Sequence, residues 1–165
     1  MIVLEGPDGG GKSTLAKAIS KATDWPIVGS EGPPQSTEEF LDRIERYFKM
    51  GNRVIFDRHP CISNVAYDII RDPRDRTLIP QPFIDRVYAQ DPIIIYARNT
   101  DPKTAVADNK FDTPEHVAMY TANFSKLVEW YDRWALEKAH FIHRLKADHS
   151  GIVTACRLHA YRVVL

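Results

Sequence analysis

Eight residues near the start of the chain, Gly6-Pro7-Asp8-Gly9-Gly10-Gly11-Lys12-Ser13, narrow the available folds more than any other part of the sequence. They fit the pattern G-x-x-x-x-G-K-[ST] without a mismatch. The wholly apolar run Ile2-Val3-Leu4 precedes them, and residues 12–22 follow with Leu15, Ala18, Ile19 and Ala22 on one helical stripe. A short apolar run ended at once by glycines suits a strand buried on both faces. Strand, glycine loop and helix in that order is the context the pattern requires. In it the glycines let successive backbone N–H groups turn inward on an anion, and the helix N-terminus adds partial positive charge. The stretch therefore implies a phosphate cradle, with Lys12 reaching the β- and γ-phosphates of a nucleoside triphosphate and the Ser13 hydroxyl ligating Mg²⁺. Read only as a glycine-rich turn with an exposed lysine, it leaves the strand and helix around it unexplained.

The rest of the chain continues the alternation. Residues 26–29 read as a short strand, and Ser36 or Thr37 opens a helix with Phe40, Leu41, Ile44, Tyr47 and Phe48 three and four apart. Residues 53–57 form the clearest strand, 62–70 predict a helix, 71–82 a proline-rich loop and 82–89 a short helix. A buried strand at 92–97 leads into a polar segment, after which Thr113-Pro114-Glu115 starts the longest helix. The stripe of that helix runs through Val117, Tyr120, Phe124, Leu127, Val128, Tyr131 and Trp134, a spacing that points to core packing rather than base stacking. A strand at 141–145 and a helix at 152–161 close the chain. Strands alternating with helices predict a three-layer α/β/α sandwich around a central parallel sheet. The length suits one domain over residues 1–165, with a short lid segment at about 99–113.

Charge and cysteine usage remove some functional classes. Lys plus Arg and Asp plus Glu number 22 each, so no basic excess predicts an extended nucleic-acid surface. A single nucleotide needs only a few local donors. Cys61 and Cys156 are far apart and show no metal-ligand spacing, as expected of reduced thiols in a cytoplasmic protein. The six histidines lack the spacing of a zinc site. No apolar stretch reaches spanning length and no leader-like segment precedes the motif, so a cytoplasmic chain without a membrane partner is expected. A homodimer is left open.

Asp57 ends the strand at 53–57 and should emerge at the carboxyl edge of the sheet, where open α/β sheets bind ligands. Arg58 follows it. A carboxylate there can hold Mg²⁺ through water or take the proton of an attacking hydroxyl, and a guanidinium can fork onto a phosphate. The plainer alternative is an ion pair between the two at a strand end.

Two stretches together resemble thymidylate kinases. Leu4-Glu5-Gly6-Pro7-Asp8-Gly9-Gly10-Gly11-Lys12-Ser13-Thr14 is similar to the phosphate loop of that family. Gly51-Asn52-Arg53-Val54-Ile55-Phe56-Asp57-Arg58-His59, continuing to Ser63, Ala66 and Tyr67, resembles its strand and Asp-Arg signature. The resemblance implies the P-loop kinase fold, ATP and Mg²⁺ as cofactors, and a small nucleotide acceptor, a deoxynucleoside monophosphate such as dTMP. It implies catalytic roles for Lys12, Asp57 and Arg58, and donor binding by Gly9, Gly10, Gly11, Lys12, Ser13 and Thr14. It further implies Mg²⁺ on Ser13 and Asp57, and an acceptor held by Asp8, Arg58 and Tyr67. His149 lies in Ala147-Asp148-His149-Ser150-Gly151, which resembles the loop bordering the donor adenine. Arg98, Lys103 and Lys110 are the basic residues of the lid. The chain departs from the family in three places: one extra residue between His59 and Ser63, a short connection from Ala22 to Asp57, and no recognisable counterpart of the arginine-bearing helix that holds the base. Still open at this point are a kinase for a nucleoside or for a modified base in DNA, and a nucleotide-binding ATPase. The guanine-reading N/T-K-x-D motif of GTPase switches is absent.

Overall fold

In the computed structural model, which describes every residue except 33, 77, 108–112 and 163–165, five strands form one sheet. They are β1 (Ile2–Glu5), β2 (Ile27–Val28), β3 (Ile55–Asp57), β4 (Ile93–Arg98) and β5 (Phe141–Arg144), ordered β2-β3-β1-β4-β5. All four pairings are parallel, with Leu4 opposite Asp57 on one side and Ile95 on the other. The helices are α1 (Lys12–Thr23), α2 (Thr37–Lys49), α3 (Pro60–Tyr67), α4 (Gln81–Ala89), α5 (Pro102–Ala107), α6 (Pro114–Lys138) and α7 (Ser150–Arg162).

The period-two alternation of strand side chains sorts the core into two faces. Ile2, Leu4, Ile55 and Ile95 pack on Leu15, Ile19 and Trp25 of the α1 side and on Cys156 and Ala160 of α7. Val3, Phe56 and Ile94 point the other way, onto Phe40, Ile44 and Tyr47 of α2, Ile62 of α3 and Val87 of α4. A third cluster seats α6 through Tyr120, Phe124, Leu127 and Tyr131, on the Tyr96 side of β4. This is the expected three-layer sandwich. Its central strand is buried throughout, which explains why β1 reads as continuous rather than alternating apolar sequence. Among the described residues, no helix is long and apolar enough to cross a membrane.

Several boundaries differ from the sequence reading. The helix expected at 62–70 starts earlier, at Pro60, and ends at Tyr67. Proline costs nothing in the first helical turn because its missing N–H has no partner there anyway, and His59 Nδ1 caps the turn by accepting from the Cys61 N–H at 3.2 Å. A 3₁₀ turn at Pro73–Asp75 interrupts the proline-rich loop. The polar segment at 99–113 holds the short helix α5, whereas residues 108–112, with Lys110 among them, lie outside the described residues.

Candidate active site

The loop between β1 and α1 is seated against the carboxyl edge of the sheet. A Cβ on Gly10 would stand 2.6 Å from the Ala97 carbonyl oxygen of β4, and one on Gly9 2.6 Å from the Thr104 carbonyl oxygen of α5. Only glycine permits this approach of backbone to backbone. Gly11 caps α1 with φ 80°, and the helix then presents Lys12 and Ser13 to the loop. Lys12 is 7% exposed, and its Nζ donates to the Gly6 and Pro7 carbonyl oxygens at 3.0 and 2.6 Å. Burial pushes its ammonium down to about 7; neighbouring Arg58 adds to the shift, and Asp8, Asp57 and Glu5 oppose it. The bend of the loop thus encloses a buried ammonium whose hydrogen-bond partners are two neutral carbonyls.

Ser13 Oγ donates to Asp57 Oδ2 at 2.6 Å, joining the start of α1 to the end of β3. Asp57 therefore faces the cradle rather than Arg58, which excludes the strand-end ion pair between the two. A hydroxyl and a carboxylate so placed suit Mg²⁺, a hard cation that takes one or two protein oxygens and completes its shell with water and phosphate. Among the described residues, no group of three or more His, Cys, Asp and Glu could hold a metal ion.

Arg58 turns the opposite way. Its Nη2 donates to Asp8 Oδ1 at 2.5 Å and to the Tyr67 hydroxyl at 2.8 Å, and Tyr67 in turn donates to Asp8 Oδ2 at 2.9 Å. The guanidinium lies 5.0 Å from the Tyr67 ring centroid, and its Nη1 is buried with no hydrogen-bond partner. Burial works against ionisation of Asp8, yet Arg58, Lys12 and the Tyr67 hydroxyl outweigh it and hold the carboxyl below its usual range. The Asp8 N–H donates to the Tyr120 hydroxyl at 3.2 Å, so the aromatic stripe of α6 is core along most of its length and site at Tyr120.

Two cavities meet at this triad. One, of about 400 Å³, covers the loop and is lined by Gly9, Gly10, Gly11, Lys12, Ser13 and Thr14, with Asp57 opposite. The other, of about 320 Å³, is framed by Phe40, Arg43 and Tyr47 of α2, Asn64 and Tyr67 of α3, and Tyr120 of α6. Asp8, Ser30 and Arg58 belong to the walls of both.

The second cavity corrects the sequence reading at α2. An arginine-bearing helix is present: Arg43 is 6% exposed and lines the cavity. Its Nη1 donates to the Gly32 carbonyl oxygen at 2.6 Å and its Nη2 to Glu39 Oε1 at 2.7 Å, while Tyr47 ties down the Gly29 carbonyl at 3.1 Å. The signal was its position, three residues after Phe40 and four before Tyr47 on an apolar stripe. Sequence reasoning also gave no role to Glu5. It is 0% exposed and accepts from the His59 N–H at 2.7 Å, from Ser63 Oγ at 2.9 and 3.0 Å, and from the Tyr131 hydroxyl at 3.0 Å. Burial pushes its carboxyl up, against the pull of Arg58 and of these donors.

Three sequence candidates lie away from both cavities. Arg98 forks onto Asp132 of α6 at 2.8 Å through both Nε and Nη2, and lines a separate cavity of about 820 Å³ beside β5. Lys103 is exposed on α5. His149 lies beside His143, whose ring centroid is 5.8 Å from its own and whose Nε2 would be 3.4 Å from a Cβ on Gly11.

No protein-family model matches the chain, and no curated protein sequence matches it either. Solved structures do. YorR protein from Bacillus subtilis, in complex with phosphorylated GDP, superposes with TM-score 0.70 at 18% identity, covering 99% of this chain and 96% of that one. Deoxyadenosine kinase from M. mycoides, with products dCMP and a flexible dCDP bound, gives TM-score 0.57 at 18% identity, with 99% and 97% covered. Shikimate kinase from Acinetobacter baumannii, in complex with shikimate, gives 0.52 at 13% identity, with 99% and 89% covered. These likenesses, with the parallel five-stranded sheet, show the P-loop kinase fold.

Proposed function

We propose that the protein is an ATP-dependent kinase that transfers the γ-phosphoryl group to a deoxynucleoside monophosphate, dTMP first among them. The observation that carries this reading is the shared wall: a glycine-lined phosphate cavity and a second, aromatic and arginine-lined cavity have Asp8, Ser30 and Arg58 in common. A switch or a plain ATPase needs only the first cavity. A transferase needs two reactants side by side, and holding them so is itself a large share of catalysis.

In this reading the loop N–H groups and Lys12 hold the β- and γ-phosphates, and Lys12 exchanges two neutral carbonyls for phosphate charge. Ser13 and Asp57 would hold Mg²⁺, which would supply neutralisation of phosphate charge. Across the wall, the guanidinium of Arg58, a residue that lines both cavities, takes an oxygen of the acceptor phosphate. That phosphate oxygen attacks the γ-phosphorus in line, the bond to the β–γ bridging oxygen breaks, and ADP leaves with the released electron pair. A phosphate acceptor is already anionic and needs no general base, which leaves Asp57 to the metal. Asp8 accepts from a sugar hydroxyl, and the slot between Phe40, Tyr47, Tyr67 and Tyr120 takes the base, beside Arg43. A volume of about 320 Å³ suits one mononucleotide, not a strand. Residues 1–165 act as one domain, and the segment at about 99–113 is its lid; at its start the Asn99 side chain donates to the Asp8 carbonyl at 2.7 Å.

Coupled ADP release with ATP-Mg²⁺ across deoxynucleoside monophosphates, the matching nucleosides and DNA tests the reading. Monophosphates should give the highest kcat/KM. Equal or faster turnover of nucleosides, or activity on DNA alone, would refute the acceptor while leaving the donor site standing.

A further inference from the structure

Arg58 adopts φ 78°, a backbone conformation that residues with a Cβ avoid, at the turn where β3 leaves the sheet. A non-glycine residue stays there only when its surroundings over-determine it. The Arg58 N–H donates to the Leu4 carbonyl oxygen at 3.0 Å, and the next N–H, that of His59, donates to Glu5 Oε1 at 2.7 Å. Successive residues of β1 thus receive the two amides that define the turn. The Glu5 carboxylate is also gripped by Ser63 from the first turn of α3 and by Tyr131 from α6, so it has no freedom to follow a drifting chain. The two residues this turn carries have different partners, Asp57 bonding Ser13 in the loop cavity and Arg58 bonding Asp8 in the wall that the two cavities share.

We infer that Glu5 is a positioning residue for phosphoryl transfer: its buried carboxylate pins the β3–α3 turn, so that Asp57 faces the donor cavity and Arg58 the wall it shares with the acceptor cavity. The inference rests on the phosphotransfer reading above. A carboxylate is expensive to bury, and here it touches neither cavity; what it contributes is an acceptor at a fixed point for donors from three elements. Misplacement of either side chain on the ångström scale is enough to cost about 10² in rate.

Length and charge can be separated. Glu5→Gln keeps the reach: its oxygen still accepts from the His59 N–H and Ser63, and its NH₂ donates to the Tyr131 hydroxyl, which can accept as well as donate. Glu5→Asp keeps the charge but withdraws the carboxylate by one methylene, out of bonding range of His59. Positioning predicts that Glu5→Gln holds kcat within about threefold of wild type, while Glu5→Asp lowers it about 10²-fold with the KM for ATP little changed. Amide hydrogen exchange at His59 should stay slow in Glu5→Gln and accelerate in Glu5→Asp, a readout that does not depend on activity. The reverse ranking, equal loss in both variants, or full activity in Glu5→Asp overturns the inference. Should Glu5→Asp fail to fold, Tyr131→Phe, which removes one tie and lines neither cavity, should lower kcat about fivefold, the worth of one hydrogen bond; full activity there would overturn it equally. If the wild-type protein transfers no phosphoryl group, the functional reading fails, and the exchange rates still decide whether Glu5 holds the turn.

Discussion

Gly10→Ala adds one methyl group where the phosphate loop rests on β4. The new Cβ would lie 2.6 Å from the Ala97 carbonyl oxygen, where ordinary contact begins at 3.4 Å, and 3.2 Å from its carbon. Neither partner is a flexible side chain: β4 is hydrogen-bonded to β1 and β5 on both sides, so the loop must retreat, by about 0.8 Å. Overpacking of this kind costs about 1–3 kcal/mol. At this chain length that corresponds to a fall in Tm of roughly 2–12 °C. The same retreat displaces the loop N–H groups to which phosphate binding is assigned in the proposed function, and a shift on this scale should lower kcat by about 10 to 10². Differential scanning fluorimetry and the coupled ADP-release assay read the two effects on one preparation. Gly29→Ala is the control, because Gly29 lines the same cavity and an added Cβ meets nothing within 4 Å. Wild-type Tm and kcat in Gly10→Ala, or equal losses in Gly29→Ala, would refute the seating of the loop on β4.

Arg58→Ala should reduce kcat/KM for a monophosphate acceptor by about 10² and leave the KM for ATP nearly unchanged, since the guanidinium bonds Asp8 and Tyr67 rather than Lys12 or Ser13; a uniform loss for ATP and acceptor would show a merely structural role. Asp57→Asn should lower kcat by about 10² or more and raise the Mg²⁺ concentration needed for half-maximal rate, as followed by Mg²⁺ titration; a lowered Tm with normal kinetics would contradict the assignment. His59 gives a pH dependence of stability: burial pushes its imidazole from the usual 6.5 down to about 3, so between those values the unfolded chain binds a proton that the folded one does not. Stability therefore falls as pH drops from 6.5 toward 3. His59→Asn keeps a cap acceptor for the Cys61 N–H and cannot titrate, so the slope of Tm against pH should flatten in that window; an unchanged slope would place the acid sensitivity elsewhere.

What the sequence disclosed was local, and what it hid was assembled at a distance. The β1–loop–α1 unit could be read because strand, glycines, lysine and helix follow one another within the first quarter of the chain. Asp57 could be placed because a single apolar run ends in it. The partners of these residues come from far along the chain: Glu5 meets His59 54 positions away and Tyr131 126 positions away, and no periodicity records such closures. Arg98 sits beside the polar segment in sequence, yet Asp132, 34 positions on, captures it and leaves it outside both cavities. The helix expected from residue 62 begins at Pro60, the first residue of α3. Arg43 was legible in principle, as a charged residue on an apolar stripe, but only folding shows that the stripe borders a cavity and not the core alone.

Label transfer decides whether phosphoryl groups cross the wall formed by Asp8, Ser30 and Arg58. Wild-type protein mixed with γ-labelled ATP, Mg²⁺ and dTMP in a single turnover should yield labelled dTDP and unlabelled ADP in equal amounts, with little labelled inorganic phosphate. Release of the label as inorganic phosphate at the same rate with and without dTMP would rule out that crossing, because the second cavity would then receive nothing from the first.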